Sequence, residues 1–325
     1  MQPSPLIPSF QAHFHSRWGH LSDPHVRAMA WLLDAPDLLD PRDPLWQGKV
    51  ATLGPIDQAT ADWLTGLDQA PEALHAYLNL QPFSRLGRYA EKLMAFYLEH
   101  QGILVAHGVQ VRGENKETIG EFDFLLRQEE GLVHWEFASK FYLLENGGVL
   151  SRKADYFVGP NLADTLGKKI RKIMEQQLYL SQHPAARRHL PAPIHAAQAL
   201  VKGWLFYHEG SSPSVNPPGV SPSHCRGFWC SLSELERWET GELYVVLPRL
   251  SWLAPAKVPA QQALKLEQLK QQLTGQFEID KAPALVAAVQ IQDGWANETD
   301  RGFIVPDEWH VRAKASASEA AADPV

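Results

Sequence analysis

Four ionisable residues stand out in the stretch GEFDFLLRQEEGLVHWEFASKFYL, residues 120–143: Glu121 and Asp123 in one apolar run, Glu136 and Lys140 in the next. An unpaired charge inside a buried strand is expensive. Acids two apart leave the same face of a strand. A short hairpin then sets Glu136 opposite or diagonal to Asp123. Like charges so placed repel, and a hard dication relieves them. Mg²⁺ characteristically takes one or two carboxylates together with waters and phosphate oxygens. Alternatively, the sheet has one wet face and the acids point to water. The two strands alone leave both readings open.

These residues need elements to position them. FSRLGRYAEKLMAFYLEHQ has Leu86, Tyr89, Leu93, Phe96 and Tyr97 on one side and Ser84 at its start, which predicts an amphipathic helix with a serine N-cap. Three strand-like runs follow, ILVAHGVQVRG, TIGEFDFLLRQ and LVHWEFASKFYLL, joined by GENKE and QEEG turns. If residues 134–143 were helical instead, Glu136 and Lys140 would be an ordinary i,i+4 ion pair; the aromatic-rich run favours a strand. After an ENGG turn and a VGPN loop, LADTLGKKIRKIMEQQLYLSQ predicts a basic helix. ALVKGWLFYH and ELYVVLPRLSWL predict strands, AQQALKLEQLKQQLTG a helix, and ALVAAVQIQ with RGFIVPDEW a final β pair.

Organisation follows from these patterns. Residues 1–80 form a helical N-terminal region, 81–255 an α/β core with an exposed flexible loop at 209–227, and 256–312 a helix and β extension. The tail, 313–325, is expected to be disordered. The chain has 325 residues and a net charge of −7, which argues against a protein that coats nucleic acid. Residues 151–190, however, hold eight Lys or Arg against three Asp or Glu, a local +5 that leaves the remainder at −12. A basic stripe beside an acidic cluster suits a polyanion and a dication meeting at one site; a solvated helix face accounts for it equally. Two cysteines cannot make a disulfide framework, which points to a reducing cytoplasm. No apolar stretch is long enough to span a bilayer, and the N-terminus lacks a secretory pattern.

The order of helix with Glu91 (GRYAE), strand, strand with Asp123 (GEFD), strand with Glu136 and Lys140 (WEFASK), then basic helix resembles the core of the PD-(D/E)XK nuclease superfamily over residues 82–208. Features across most of the chain, GEFDFLL, HWEFASKFYL, GPNLADTLGKK and RGFIVP, are similar to the bacterial family Domain of Unknown Function 1853, itself related to that superfamily. The resemblance implies a restriction-endonuclease-like mixed sheet flanked by helices. It implies Mg²⁺ or Mn²⁺ held by Glu91, Asp123 and Glu136, with Asp123, Glu136 and Lys140 catalytic. DNA or RNA would be held by Lys168, Lys169, Lys172, Gln177 and Tyr179, the last two from EQQLY, with Arg171 adding charge. The activity so implied is phosphodiester hydrolysis; a module that keeps the fold and binds nucleic acid or a protein without cutting is the alternative. One departure bears on the choice. The family lysine follows its glutamate by two residues, whereas position 138 is alanine and Lys140 lies about 13 Å along a regular strand instead of about 7 Å. The long lysine stem recovers some of that distance and a bulge more; alternatively Lys168 or Lys169 from the basic helix substitutes, or the site is inactive.

Other signals are weaker. His224, Cys225 and Cys230 match no zinc spacing. His13, His15 and His20 lack partner carboxylates at telling positions. Serine-hydrolase, P-loop and dinucleotide glycine patterns are absent. Eleven tryptophans are expected chiefly to fill the core, Trp204, Trp229 and Trp252 among them.

Overall fold

The protein is described from a computed structural model covering residues 9–78, 85–145, 154–208, 216–238 and 241–322. The expected Ser84 cap, the ENGG turn and residues 209–215 of the expected loop lie outside these residues.

The sequence signals for helix are met locally. α1 (Phe10–Trp18) is capped by the Ser9 side chain, α2 (Pro24–Asp34) by Asp23 with proline in its first turn, and α3 (Gln58–Gln69) by Asp57. α4 (Glu72–Leu78) is short. α5 (Leu86–His100) buries Leu86, Tyr89, Leu93 and Leu98 on one stripe, while Glu91 stays off it.

β1 (Leu104–Arg112), β2 (Thr118–Gln128) and β3 (Gly131–Leu144) form an antiparallel meander. Residues 134–143 are therefore strand, and Glu136 and Lys140 are not a helical pair. β4 (Phe157–Val158) adds to the far end of β3. The chain then crosses through α6 (Leu166–Glu175), capped by Thr165, to β5 (Ile194–His208), which lies parallel to β3 with Glu136 beside Ala199 and Lys140 beside Gly203. Gly203 is required there, because a Cβ would sit 2.1 Å from the Lys140 carbonyl oxygen.

The sheet continues through β6 (Cys225–Ser231), β7 (Leu243–Leu247), β8 (Lys257–Pro259), β9 (Ala284–Gln292) and β10 (Trp295–Val305), with α7 (Leu266–Ile279) between β8 and β9 and α8 (Trp309–Ala322) closing the chain. Among the described residues it is a ten-stranded mixed sheet in the order β1-β2-β3-β5-β6-β10-β9-β7, with β4 and β8 at its margins. The C-terminal strands thus continue the core sheet, since β10 pairs in parallel with β6. β3 and β5 are buried on both faces, as parallel neighbours require. Phe137, Phe141, Leu200 and Trp204 join the core shared with α2 and α5, while Ala138, Tyr142, Val201 and Leu205 join the one shared with α6.

Three expectations change. The part of the loop that is described, 216–227, is packed: Val220 bridges Leu39, and buried His224 bonds the Tyr207 hydroxyl. Residues 313–322, expected as disordered tail, continue α8 and bury Ala313, Ala317 and Ala320. The basic helix ends at Glu175, so Gln177 and Tyr179 sit in a 3₁₀ segment after it.

One buried ion pair ties β10 to the middle of the chain. Arg301 is 0% and Glu298 1% exposed. The guanidinium donates to both Glu298 oxygens and to the Trp252 and Ala254 carbonyls, and lies 4.2 Å over the Trp204 ring. Removing one partner leaves the other charge unpaired in the core. Arg301→Ala should therefore lower unfolding stability by about 3–5 kcal/mol in urea titration, whereas Arg301→Met with Glu298→Leu should cost much less.

Candidate active site

The β2–β3 ladder runs from the turn to Phe124 opposite Trp135 and stops. The next residues inward are Asp123 and Glu136. There the Asp123 side chain replaces the ladder, its Oδ2 accepting from the Phe137 amide at 2.9 Å. Strand alternation breaks at the same place: Phe122 and Leu125 join the small cluster under β1, Phe124 and Leu126 the main core. Glu136 is 1% exposed. Glu91 reaches in from α5, and both it and Glu136 lie close enough to Asp123 to feel its charge and to share a proton with it. The structure thus brings together the three acids singled out from sequence, and Glu121 lies near enough to add its charge.

Three carboxyl groups so close cannot all ionise cheaply. Burial, then the Asp123 charge, pushes Glu136 up to about 9, with Lys169 opposing. Burial, then Asp123 and Glu121, pushes Glu91 up to about 7, with Arg88 opposing. Asp123 is also raised by burial, despite the Phe137 amide that favours its anion. Ionised, Glu136 leaves its buried Oε2 without a donor; protonated, its carboxyl bonds Asp123. Shared protons or a dication can settle this cluster.

The cationic side comes from α6. Lys169 Nζ lies 3.9 Å from Glu136 Oε1 and donates to Gln177 Oε1 at 3.0 Å, while the Gln177 amide donates to Glu136 Oε1. Lys140 points elsewhere: it meets Asp164 Oδ2 at 3.3 Å, an oxygen that also accepts from the Tyr142 hydroxyl at 3.0 Å. The lysine beside the glutamate is therefore Lys169. Lys168 and Lys172 lie four apart on the exposed side of α6. Tyr179 is 42% exposed, with its hydroxyl bonded by Lys49. Arg171 is taken up by a two-pronged bond to Asp155.

Sequence reading passed over His134. It is fully buried, 3.8 Å from Glu136 Oε2 and edge-on to Phe122. Burial lowers it to about 4, so it lines the site as a neutral ring. Its signal was the same period of two that links Glu136 to Lys140.

The donor set is oxygen only, which fits Mg²⁺ or Mn²⁺ better than a softer ion. Among the described residues no three His, Cys, Asp or Glu side chains form a ready metal-binding group. The fit is therefore to a two-carboxylate site, Asp123 and Glu136 with Glu91 behind, completed by water or phosphate oxygens. Because burial raises Glu91 to about 7 and Glu136 to about 9 from the ordinary glutamate value of 4.5, the native state holds more protons than the unfolded chain between that value and about 9. Stability without metal should then fall as pH rises through this window. Glu136→Gln should flatten the fall in Tm between pH 5.5 and 8.5, and an unchanged slope would show that Glu136 is not the buried titrating group.

No helix of the described residues is long and apolar enough to cross a membrane. Comparison with curated proteins and with solved structures finds no match. A family profile described as a domain of unknown function, DUF1853, matches residues 27–305, and the chain belongs to that family.

Proposed function

We propose that the protein is an Mg²⁺- or Mn²⁺-dependent nuclease that hydrolyses phosphodiester bonds of DNA or RNA. The observation that carries this reading is the convergence of Asp123, Glu136 and Glu91 with a lysine from the crossover helix, Lys169. The element order supports it too. α5, three meandering strands, α6 and a strand parallel to β3 are the parts expected of a PD-(D/E)XK core. Fold-level likeness is analogy, so the weight rests on the site.

Asp123 and Glu136 would hold the ion, which when bound lowers the pKa of coordinated water and neutralises charge on the phosphate. Each other role belongs to the chain. The Phe137 amide fixes the Asp123 carboxylate, and Gln177 fixes that of Glu136. The Lys169 ammonium is placed to orient a water and to stabilise charge building on the non-bridging oxygens. Hydrolysis joins the water oxygen to phosphorus and breaks the bond to the leaving oxygen, which takes up a proton. Lys168 and Lys172, exposed beside the site, attract the polyanion over a wider range.

A second reading has one observation in its favour. Lys140, the lysine of the WEFASK run, is turned away to Asp164, as in a fold kept for binding after its chemistry is lost. The two separate cleanly. With Mn²⁺ and single- or double-stranded DNA and RNA, the nuclease reading expects cleavage that falls about 10²–10³-fold in Lys169→Gln, the scale of losing one charge-stabilising donor. Lys140→Gln should stay within about tenfold of wild type, and Glu136→Ala should abolish cleavage; activity surviving Glu136→Ala belongs to a contaminant. Calorimetry gives the independent check on the ion. Mn²⁺ heats should vanish in Asp123→Asn, and equal heats in both proteins remove the metal site. Metal binding without any cleavage would favour the binding module.

A further inference from the structure

The GPNLADTLGKK motif holds a turn that the proposed chemistry does not use. In residues 159–164 the Gly159 amide donates to the Asp164 carbonyl and the Leu162 amide to the Gly159 carbonyl. Leu162 adopts φ +60°, a left-handed backbone that a branched side chain rarely takes. The turn is held regardless. Leu162 packs against the cores on both faces of the sheet, and Trp309 of α8 donates its indole N–H to the Pro160 carbonyl at 2.8 Å.

This strained turn forms the floor between two adjoining clefts. One, of about 180 Å³, is lined by Lys140, Ser139, Asp164 and Arg249; the other, of about 380 Å³, by Arg249, Lys281, Asp280 and Arg312. Pro160, Asn161 and Arg249 line both, so the two clefts lie side by side along one groove-like face. Its walls carry four cations against two carboxylates, in a chain of net charge −7. Lys281 is partly committed to Glu308 at 2.8 Å, but the exposed Arg249 and Arg312 present their charge to the groove mouth. At the inner end the Ser139 hydroxyl is buried without a hydrogen-bond partner. That end adjoins the carboxyl site: Lys140 follows Glu136 by four residues on β3, and Leu86 of α5, the helix that carries Glu91, lines the same cleft.

We infer that the groove from Lys140 past Arg249 to Arg312 holds the phosphates of a single nucleic-acid strand leading to or from the carboxyl site. This rests on the nuclease reading for the direction of the strand, though not for its binding. Clefts of about 180 and 380 Å³ have room for a strand's backbone and not for the body of a duplex. Their tryptophans are also buried, Trp309 at 1% and Trp252 at 7% exposure, and so offer no open faces for bases to stack on. Recognition is of backbone charge, and hence independent of sequence. It gives Lys140 a use other than catalysis: a cation at the groove's inner end, set by Asp164 and Tyr142.

The test is the salt dependence of binding to labelled (dT)₂₀ in EDTA, using the full chain and Arg249→Gln/Arg312→Gln. Removing two charges that each neutralise a phosphate of the single strand should lower the slope of log K against log salt by about 1.4, and weaken binding at low salt at least tenfold. Arg42→Gln/Arg237→Gln removes the same charge from exposed sites elsewhere and should leave the slope near wild type. An equal drop in that control, a 20-bp duplex bound with the same slope as the single strand, or no binding of (dT)₂₀ by wild type overturns the groove. Mn²⁺-dependent cleavage with wild-type binding by Arg249→Gln/Arg312→Gln overturns the groove and leaves the nuclease reading standing. The expected slope change with no cleavage by the wild type does the reverse.

Discussion

Everything at this site turns on mutual repulsion among carboxyl groups that the fold will not let separate. At an effective dielectric near 20, two unit charges about 4 Å apart repel by about 4 kcal/mol, a large part of a domain's net stability. Glu136 cannot retreat, because β3 is flanked by β2 and β5 and covered on both faces. Asp123 cannot turn away without surrendering the Phe137 amide, a donor that the broken ladder leaves without a strand partner. A cluster so constrained is a standing demand for positive charge. Lys169 answers part of it, and burial makes Lys169 itself easier to deprotonate.

The rest of the architecture keeps that demand in place. The parallel pairing of β3 with β5 makes the central strand rigid, and α5 and α6 deliver Glu91 and Lys169 from different elements. Sites built on strands and helices hold geometry better than sites on loops. The C-terminal strands matter for the same reason. They extend the sheet beyond β6, and the Arg301–Glu298 pair locks β10 to residues 252–256 and to Trp204 of β5. A chain ending after β5 would leave that strand as an edge with its hydrogen-bonding groups open.

Local pattern made the meander, α5, α6 and the carboxyl positions legible, since each rests on a period of two or of 3.6 within a short window. What pattern could not supply was long-range pairing: nothing in RGFIVP says that it will lie parallel to the distant Cys225–Ser231. Composition misled twice. Pro, Ser and Gly around residue 220 signal turns, and turns can be packed, as Val220 and His224 show. The run after Trp309 reads as low complexity, yet Ala313, Ala317 and Ala320 recur at helical spacing and alanine is the strongest helix former. The lysine at the site was visible only as one of several choices, because its approach depends on how α6 crosses the sheet.

On the proposed reading, that crossing also accounts for a site lysine carried by the helix and not by the strand. Ala138 occupies the position where the PD-(D/E)XK pattern that the sequence resembles would place lysine, and it is buried in the same cluster as Leu166 and Ile173 of α6. A small side chain there lets the helix approach the strand, and that approach carries Lys169 to Glu136. A lysine at 138 would enter that buried apolar cluster, where an unpaired ammonium is costly. The chemistry constrains where an ammonium must lie and is indifferent to which element carries it. Once α6 supplies that charge, Lys140 is released from the carboxyl site and free to be held by Asp164. If the proposed function holds, the displaced lysine thus marks a different division of labour between strand and helix.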